Sequence, residues 1–352
     1  MSDSLADADQ RARRELSPED RDSARGPRPL TRSAARRRHV RRRLLTLVPL
    51  AFLATVAAFG LTKLAPGGAM AALLNENQPA SRQVRDAISR HYHLNDPLVV
   101  QYWHWLGGVI HGDLGRSIMT NDTVLNEIHQ RIGVTLMLNI GANAFAMLFG
   151  ILFGVLAALH RSRWPDRALV GFSVLGMSTP PFALGIAVIF LLGFKLGWFP
   201  LYGAGSGFGG HVHHFALPIL VLGVHGMGLM MRITRAAMLN QLDQDFVPFA
   251  RARGVSESRI VMRYALRNTL IPVSTAAGLL FLGLLTGSVL VETVFGLSGL
   301  GTLLVSSVTN GDFPVIQGLV LIIAVWIIVV NLLVDMLYVA IDPRVGFEAA
   351  RA

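Results

Sequence analysis

The chain has 352 residues, of which 52% are hydrophobic and 15% charged, and its formal net charge is +10. A soluble domain carries about a quarter of its residues as charges. Here the apolar residues lie in long uninterrupted blocks, which exclude an ordinary soluble domain and point to a lipid solvent. The absence of cysteine excludes disulfides, thiolate metal sites and a Cys nucleophile.

Residues 1–43 hold 13 basic and 7 acidic side chains. From Arg28 to Arg43 there are eight arginines and no acid, and apolar sequence begins at Leu44. A basic run directly against a span holds the tail on the cytoplasmic side and touches anionic lipid, so no nucleic-acid role is assigned to it. The tail is expected to lack regular structure. Residues 44–64 are read as an N-terminal anchor helix. Ala69-Met70-Ala71 resembles a signal-peptide cleavage pattern, but more than forty residues precede the apolar run, too many for a usual n-region.

Residues 65–132 follow as an extracytoplasmic segment with mixed charges and the aromatics Tyr92, Tyr102, Trp103 and Trp105. Short helices on the outer bilayer surface are expected there. Further spans are predicted at about 133–159, 169–194, 215–232, 270–292 and 315–341, together a five-helix core over 133–342. The fourth is short and carries Gly223, Gly226 and Gly228, as suits an inner bundle helix whose neighbours approach closely. Ser178, Pro180 and Pro181 interrupt the third; proline frees a backbone carbonyl and bends a helix, which fits a gate or a static bend.

Loop charges set the orientation. The 160–168 loop carries Arg161, Arg163 and Arg167, and the 233–269 loop carries Arg235, Arg251, Arg253, Arg259, Arg263 and Arg267. The 195–214 loop has one basic residue, Lys195, and 293–314 has none. Alternate loops are therefore basic, which places both termini, including the tail 343–352, in the cytoplasm. The predicted fold is an all-α membrane protein of about six transmembrane helices.

Polar residues inside or near spans are candidate passage groups. Asn139 and Asn143 lie one turn apart on one face of the second span, where interhelical hydrogen bonding competes with passage lining. His225 lies in the fourth span and Glu292 near the outer end of the fifth, where an acid is expensive unless it works or reaches water. Asp335, with Asn331 one turn earlier, fits local pairing better than transport. His211, His213 and His214 form an outer-loop cluster, but the loop offers no acid to complete a metal site, and none is assigned.

The segment 240–272 is too long for a mere connection. Pro248 fits the first turn of a short helix, Gly254 a left-handed stop, and Ser256 the cap of a second, basic helix. Such an element either seats in a groove on a soluble partner or merely fixes topology with its charges.

This segment resembles the cytoplasmic coupling loop of ATP-binding-cassette (ABC) importer permeases of the dipeptide/oligopeptide/nickel family. The family carries an aromatic residue, then Ala-Arg-Ala-Lys/Arg-Gly, then a basic helix ending in Arg-Asn-x-Leu-Ile-Pro. Here these are Phe246, Ala250-Arg251-Ala252-Arg253-Gly254 and Arg267-Asn268-Thr269-Leu270-Ile271-Pro272. His93-Leu94-Asn95-Asp96-Pro97-Leu98, Gly112-Asp113-Leu114-Gly115-Arg116-Ser117, Ser178-Thr179-Pro180-Pro181-Phe182, Glu292-Thr293-Val294-Phe295 and Asp342-Pro343-Arg344 follow in the family's order. The chain departs from it at Leu64-Ala65-Pro66-Gly67-Gly68-Ala69, which lacks a frequent acid, and at Pro248 and Ser298.

The resemblance implies a type I ABC importer permease fold in a bacterial inner membrane. It implies half of a translocation pathway for di- or oligopeptides, with nickel or another small solute as the alternative. The implied partners are a homologous second permease, two ABC ATPase subunits and an extracytoplasmic substrate-binding protein. ATP and Mg would bind on the ATPases and no cofactor on this chain. Phe246, Phe249, Ala250, Arg251, Ala252, Arg253, Gly254, Val255 and Ser256 would couple to the ATPases. The chain has two lysines, Lys63 and Lys195, and neither sits in a phosphate-binding loop. Rival readings are a membrane scaffold or receptor and an intramembrane serine protease. Gly296-Leu297-Ser298-Gly299 resembles the nucleophile motif of the latter, but all eleven histidines precede residue 226, so no later span supplies a base.

Overall fold

The computed structural model describes residues 32–61 and 96–341, and the side chains of 47–61, 96–334 and 336. Outside them fall residues 1–31, the cleavage-like Ala69-Met70-Ala71, the departure at Leu64–Ala69, the motif residues His93–Asn95 and Asp342–Arg344, the tail 343–352 and the side chain of Asp335. The described residues are helical, without a named strand. In order they form α1 (Arg32–Leu61), α2 (Leu98–Ile110), α3 (Val124–Leu159), α4 (Trp164–Ser178), α5 (Pro181–Lys195), α6 (Gly207–Leu242), α7 (Phe246–Ala252), α8 (Glu257–Phe295), α9 (Leu300–Asn310) and α10 (Phe313–Ile341). The second half of α5, Ile189–Lys195, and the Ile260–Ala265 stretch of α8 are π-helical.

The long pair α3 and α6 forms the axis. Ala142, Ala146, Gly150, Gly154 and Ala158 recur every fourth residue on α3, so one face is a stripe of small side chains, all buried. Four-residue spacing puts side chains on the same face of a helix, and small ones let backbones approach in lipid, where dispersion rather than water drives association. A Cβ on Gly150 would lie 2.5 Å from the Cβ of Met230, and one on Gly154 would lie 2.8 Å from the carbonyl oxygen of Met231. On α6, Gly223 receives the ring of Phe145, and Gly226 lies against Leu280 of α8 and Ala146. The three fourth-span glycines predicted to permit close approach thus do so, Gly228 against α4.

Around this axis α8, α4 and α5 pack on α6, and α9 and α10 on α8. The main core joins Leu138, Ala142 and Ala146 to Leu222, Met227, Met230, Leu280, Leu284 and Phe295. A second cluster, Val124, Ile128, Leu300, Leu303, Val315 and Leu319, closes one end of the bundle. A third, Ala158, Met238, Val261 and Ala265, closes the Arg-rich end. Helix α1 lies along α10 and reaches α2, where Thr55 Oγ1 and Tyr102 Oη are 2.8 Å apart beside Phe52 and Phe59.

Four described helices are long and apolar enough to span a bilayer, and α4 with α5 makes a fifth interrupted one. The apolar part of α1, Leu47–Leu61, has 15 residues within the described portion. Three expectations change. First, α1 starts at Arg32, inside the tail expected to lack structure; arginine and alanine are good helix formers, so the helix runs past its apolar stretch. Second, the fourth span is not short: α6 has 36 residues, about 54 Å at the α-helical rise, against roughly 30 Å of hydrocarbon. Helix α3 likewise begins at Val124 rather than near 133, capped by the Thr123 hydroxyl accepting from the Asn126 N–H at 3.3 Å. Hydropathy marks the lipid-facing part of a helix, not its hydrogen-bonded ends. Third, the interruption at Ser178–Pro181 is a break: α4 and α5 meet at 100°.

Candidate functional site

Helix α6 ends at Leu242, and a three-residue turn delivers the chain into α7. Val247 is wholly buried while Phe249 is 70% exposed, so the short helix has an inner anchor and an outer aromatic. Gly254 stops it in the left-handed region at φ 72°, with its N–H donating to Arg251 O at 2.9 Å and that of Val255 to Ala250 O at 3.1 Å. A Cβ at Gly254 would meet nothing within 4 Å, so the backbone angle alone favours glycine. Ser256 stands at the cap position of α8 with extended ψ of 144°, but its side chain makes no capping bond. The Arg251 guanidinium instead ties α7 to α8, donating from Nε to Glu257 Oε1 at 2.6 Å and from a terminal nitrogen to Oε2 at 3.2 Å. Ala252, Arg253, Gly254 and Ser256 are exposed, as are Met262 and Tyr264 of α8, and the Phe246 and Tyr264 rings lie 6.5 Å apart.

The predicted passage residues fall in three settings. Glu292 is fully buried at the far end of α8. Its Oε1 accepts from Thr135 Oγ1 of α3 at 2.7 Å, and its Oε2 accepts from the N–H groups of Gly301 and Thr302 at 2.7 and 3.2 Å. Thr135 in turn accepts from the Leu300 N–H at 2.8 Å. The first turn of α9 therefore gives three otherwise orphaned donors to a threonine and a carboxylate from two other helices. Gly299 and Gly301 pack against that carboxylate, which leaves no room for a Cβ. In this structure Glu292 is a helix-end clasp. The Gly296-Leu297-Ser298-Gly299 segment serves the same junction: Gly296 ends α8 at φ 60°, and Gly299 admits the carboxylate.

Asn139 and Asn143 lie between helices. Asn139 donates to Thr135 O at 2.9 Å and Asn143 to Ala277 O of α8 at 3.2 Å. Both amide oxygens, and Nδ1 of His225, are buried without a partner among the described residues. Ser178 and Pro180 are exposed at the break, where the Pro180 carbonyl accepts from Ala183 and Leu184 at 3.1 Å each. Pro181 opens α5. His211, His213 and His214 meet the backbone carbonyls of Ala204, Trp198 and Gly203 at 2.8, 3.0 and 2.9 Å, pinning the preceding loop to α6. Asn331 donates to Ile327 O.

Two carboxylates escaped the sequence reading. Asp166, buried at the start of α4, takes both bonds of the Arg235 guanidinium at 2.7 Å and the Ser162 N–H at 2.9 Å. Asp312, buried between α9 and α10, accepts from Ser117 Oγ at 2.5 Å and from the Ile118 N–H at 3.2 Å. Beside it Thr120 donates to Glu127 at 2.7 Å, and Glu127 pairs with Arg131. One clue was available: Asp166 is the single acid among the arginines of residues 160–168.

The chain is a helical bundle with a short exposed helix between two long apolar ones. Residues 150–347, more than half of the chain, match the binding-protein-dependent transport system inner membrane component family, and the chain belongs to that family. It is 41% identical over 310 residues to the glutathione transport system permease protein GsiC of Escherichia coli O6:H1, covering 88% of this chain and 99% of the relative. Its identity to the GsiC protein of Shigella dysenteriae serotype 1 is 40% over the same shares. Two inward-facing structures of the MetNI methionine ABC transporter share the fold at TM-scores of 0.52 and 0.53, with 18% identity and 61% of this chain and 96% of theirs covered. The chain is thus an inner-membrane ABC importer permease subunit rather than an enzyme, and it works with an ATPase and a substrate-binding protein.

Proposed function

We propose that this permease imports short peptides and that α7 couples it to the ATPases. The observation that carries the coupling role is the α7 surface. Phe249 is exposed on a helix anchored from behind by Val247 and stopped by a left-handed glycine, and Met262 and Tyr264 are exposed on the helix that follows. Such apolar side chains fit a groove on a soluble protein. A short helix tied by Arg251 to Glu257 moves as a unit with whatever holds it. The arginine-laden end of the bundle then faces the cytoplasm, with both termini there and α1 as a sixth, peripheral span. A homologous second permease completes the passage, two ABC ATPases carry ATP and Mg, and alternating access follows from helix rearrangement.

Similarity over nearly the whole length of permeases named for glutathione, a tripeptide, supports the peptide class over nickel. Phe246, Phe249, Ala250, Arg251, Ala252, Arg253, Gly254, Val255 and Ser256 form the coupling element. Asn139, Asn143, Ser178, Pro180, Pro181 and His225 remain candidates for the passage or its gate, whereas Glu292 shapes the gate's outer frame.

The test is Gly254→Pro in the assembled transporter in vesicles. ATP hydrolysis should persist while uptake of labelled glutathione and dipeptides falls to background. Full substrate-stimulated uptake would defeat the coupling role. Uptake of nickel but not of peptides by the unaltered complex would defeat the substrate assignment.

A further inference from the structure

We infer that Asp166 and Arg235 are positioning residues that bolt α4 to α6, so that α4 travels with the coupling helix and movement is taken up at the break before α5. This rests on the coupling role of α7. Three independent ties join α4 to α6. The Asp166–Arg235 pair is bidentate, with both bonds at 2.7 Å and the Asp166 side chain 5% exposed. Two parallel bonds fix the plane as well as the distance of the partners. The Ser162 N–H holds the same carboxylate from the preceding turn. A second pair of reversed polarity, Arg161 to Asp243 at 3.2 and 3.3 Å, joins that turn to the residue after α6. Above them the backbones touch: a Cβ on Gly228 would lie 2.6 Å from Ser173 O, and one on Gly176 would lie 3.3 Å from Val224 O.

Helix α6 continues unbroken from this contact to Leu242, and α7 begins four residues later. In the inferred motion a displacement of α7 reaches α4 through α6, while the Arg251–Glu257 pair carries it to the start of α8. Helix α5 packs on both α6 and the far end of α8. A Cβ on its Gly185 would meet Phe295 at 3.2 Å and Val294 at 3.4 Å, beside the Glu292 clasp, and Val221 of α6 at 3.8 Å. Between α4 and α5 stand Thr179 and Pro180, both extended, with ψ of 120° and 133°. The Thr179 N–H still donates to Leu175 O, whereas Pro180 has no N–H to give. The two halves of the span meet at 100°, and in the inferred motion this break takes up the movement of α4.

The experiment uses the assembled transporter in vesicles and reads substrate transported per ATP hydrolysed. Asp166→Asn and Arg235→Gln should each lower that ratio by about fivefold or more, and the double exchange Asp166→Arg with Arg235→Asp should recover part of it. A merely structural role would reduce the amount of assembled transporter and leave the ratio alone; an unchanged ratio overturns the inference. If the single variants fail to assemble, a second measurement decides. The chain has no cysteine, so Arg161→Cys and Asp243→Cys can be bridged selectively by a short bifunctional thiol reagent. Transport should survive this bridge, because nothing moves between α4 and α6. Spin labels at Leu175→Cys and Leu191→Cys, across the break, should change separation between nucleotide-free and ATP-bound states. Loss of transport on bridging, or a constant separation, overturns the inference. Normal transport by Gly254→Pro defeats the coupling role instead, which keeps the two failures distinguishable.

Discussion

At the end of the bundle that carries α9, the buried carboxylates of Glu292 and Asp312 accept from neutral donors, with Glu127 beside them also pairing with Arg131; at the Arg-rich end, Asp166, Asp243 and Glu257 meet guanidinium groups. Glu292 and Asp312 each gather a hydroxyl and backbone N–H groups at helix junctions. Asp166, Asp243 and Glu257 each face an arginine, and only the first is buried. The two kinds of closure yield differently. A buried carboxylate that loses its donors leaves several unsatisfied groups at once, so such a junction stays shut or opens as a whole. An arginine pair reached by water breaks and reforms at little cost. The clasped end suits a frame, and the Arg-rich end suits an element that moves against a soluble partner.

Removing the clasp should have the largest effect. Glu292→Ala leaves Thr135, Gly301 and Thr302 donors without an acceptor in a buried site, each costing about 1–3 kcal/mol. The thermal midpoint of the detergent-purified transporter should fall sharply, and less for Glu292→Gln, which keeps a carbonyl acceptor. A wild-type midpoint for Glu292→Ala would show that the clasp contributes nothing. At the neighbouring junction Ser117→Ala removes one bond to a charged acceptor, about 1.5–3 kcal/mol, and with it the acceptor of the Met119 and Thr120 N–H groups. Faster amide exchange confined to residues 115–123 is the expected result; exchange spread over α10 as well would mean that Asp312 holds more than this turn.

The smallest effect is expected at the opposite end. Arg251→Ala or Glu257→Ala removes a pair whose side chains are 53% and 63% exposed, so solvent screening leaves little stability to lose. Salt at about 1 M shortens the Debye length to about 3 Å, so the variants and the parent should converge in stability there. Retention of a difference in high salt would make this pair part of the frame and erase the contrast between the two ends.

Features with local causes were legible in the sequence. Gly254 could be assigned to the end of α7 because a left-handed stop is a property of one residue and its neighbours. Pro180 and Pro181 announced an interruption for the same reason, although not its size: the 100° break depends on how α4 packs on α6 and α5 on both α6 and α8. Glu292 was visible as an acid in an apolar block, but its partners were not. Thr135 lies 157 positions away, and the Gly299 and Gly301 approach is set by packing. Asp166 with Arg235, and Ser117 with Asp312, pair across 69 and 195 positions, so no periodicity links them.

By itself the sequence determined that the chain is a lipid-dissolved helical bundle, where its apolar blocks lie and which loops are basic. Solvation by lipid or water depends on composition summed over about twenty residues, and that sum is written along the chain. Only the tertiary structure decided which small residues face which helix, which carboxylate closes which junction and where the interrupted span bends. Those outcomes depend on shape and hydrogen-bond geometry between segments far apart in sequence, quantities that no local stretch of residues contains.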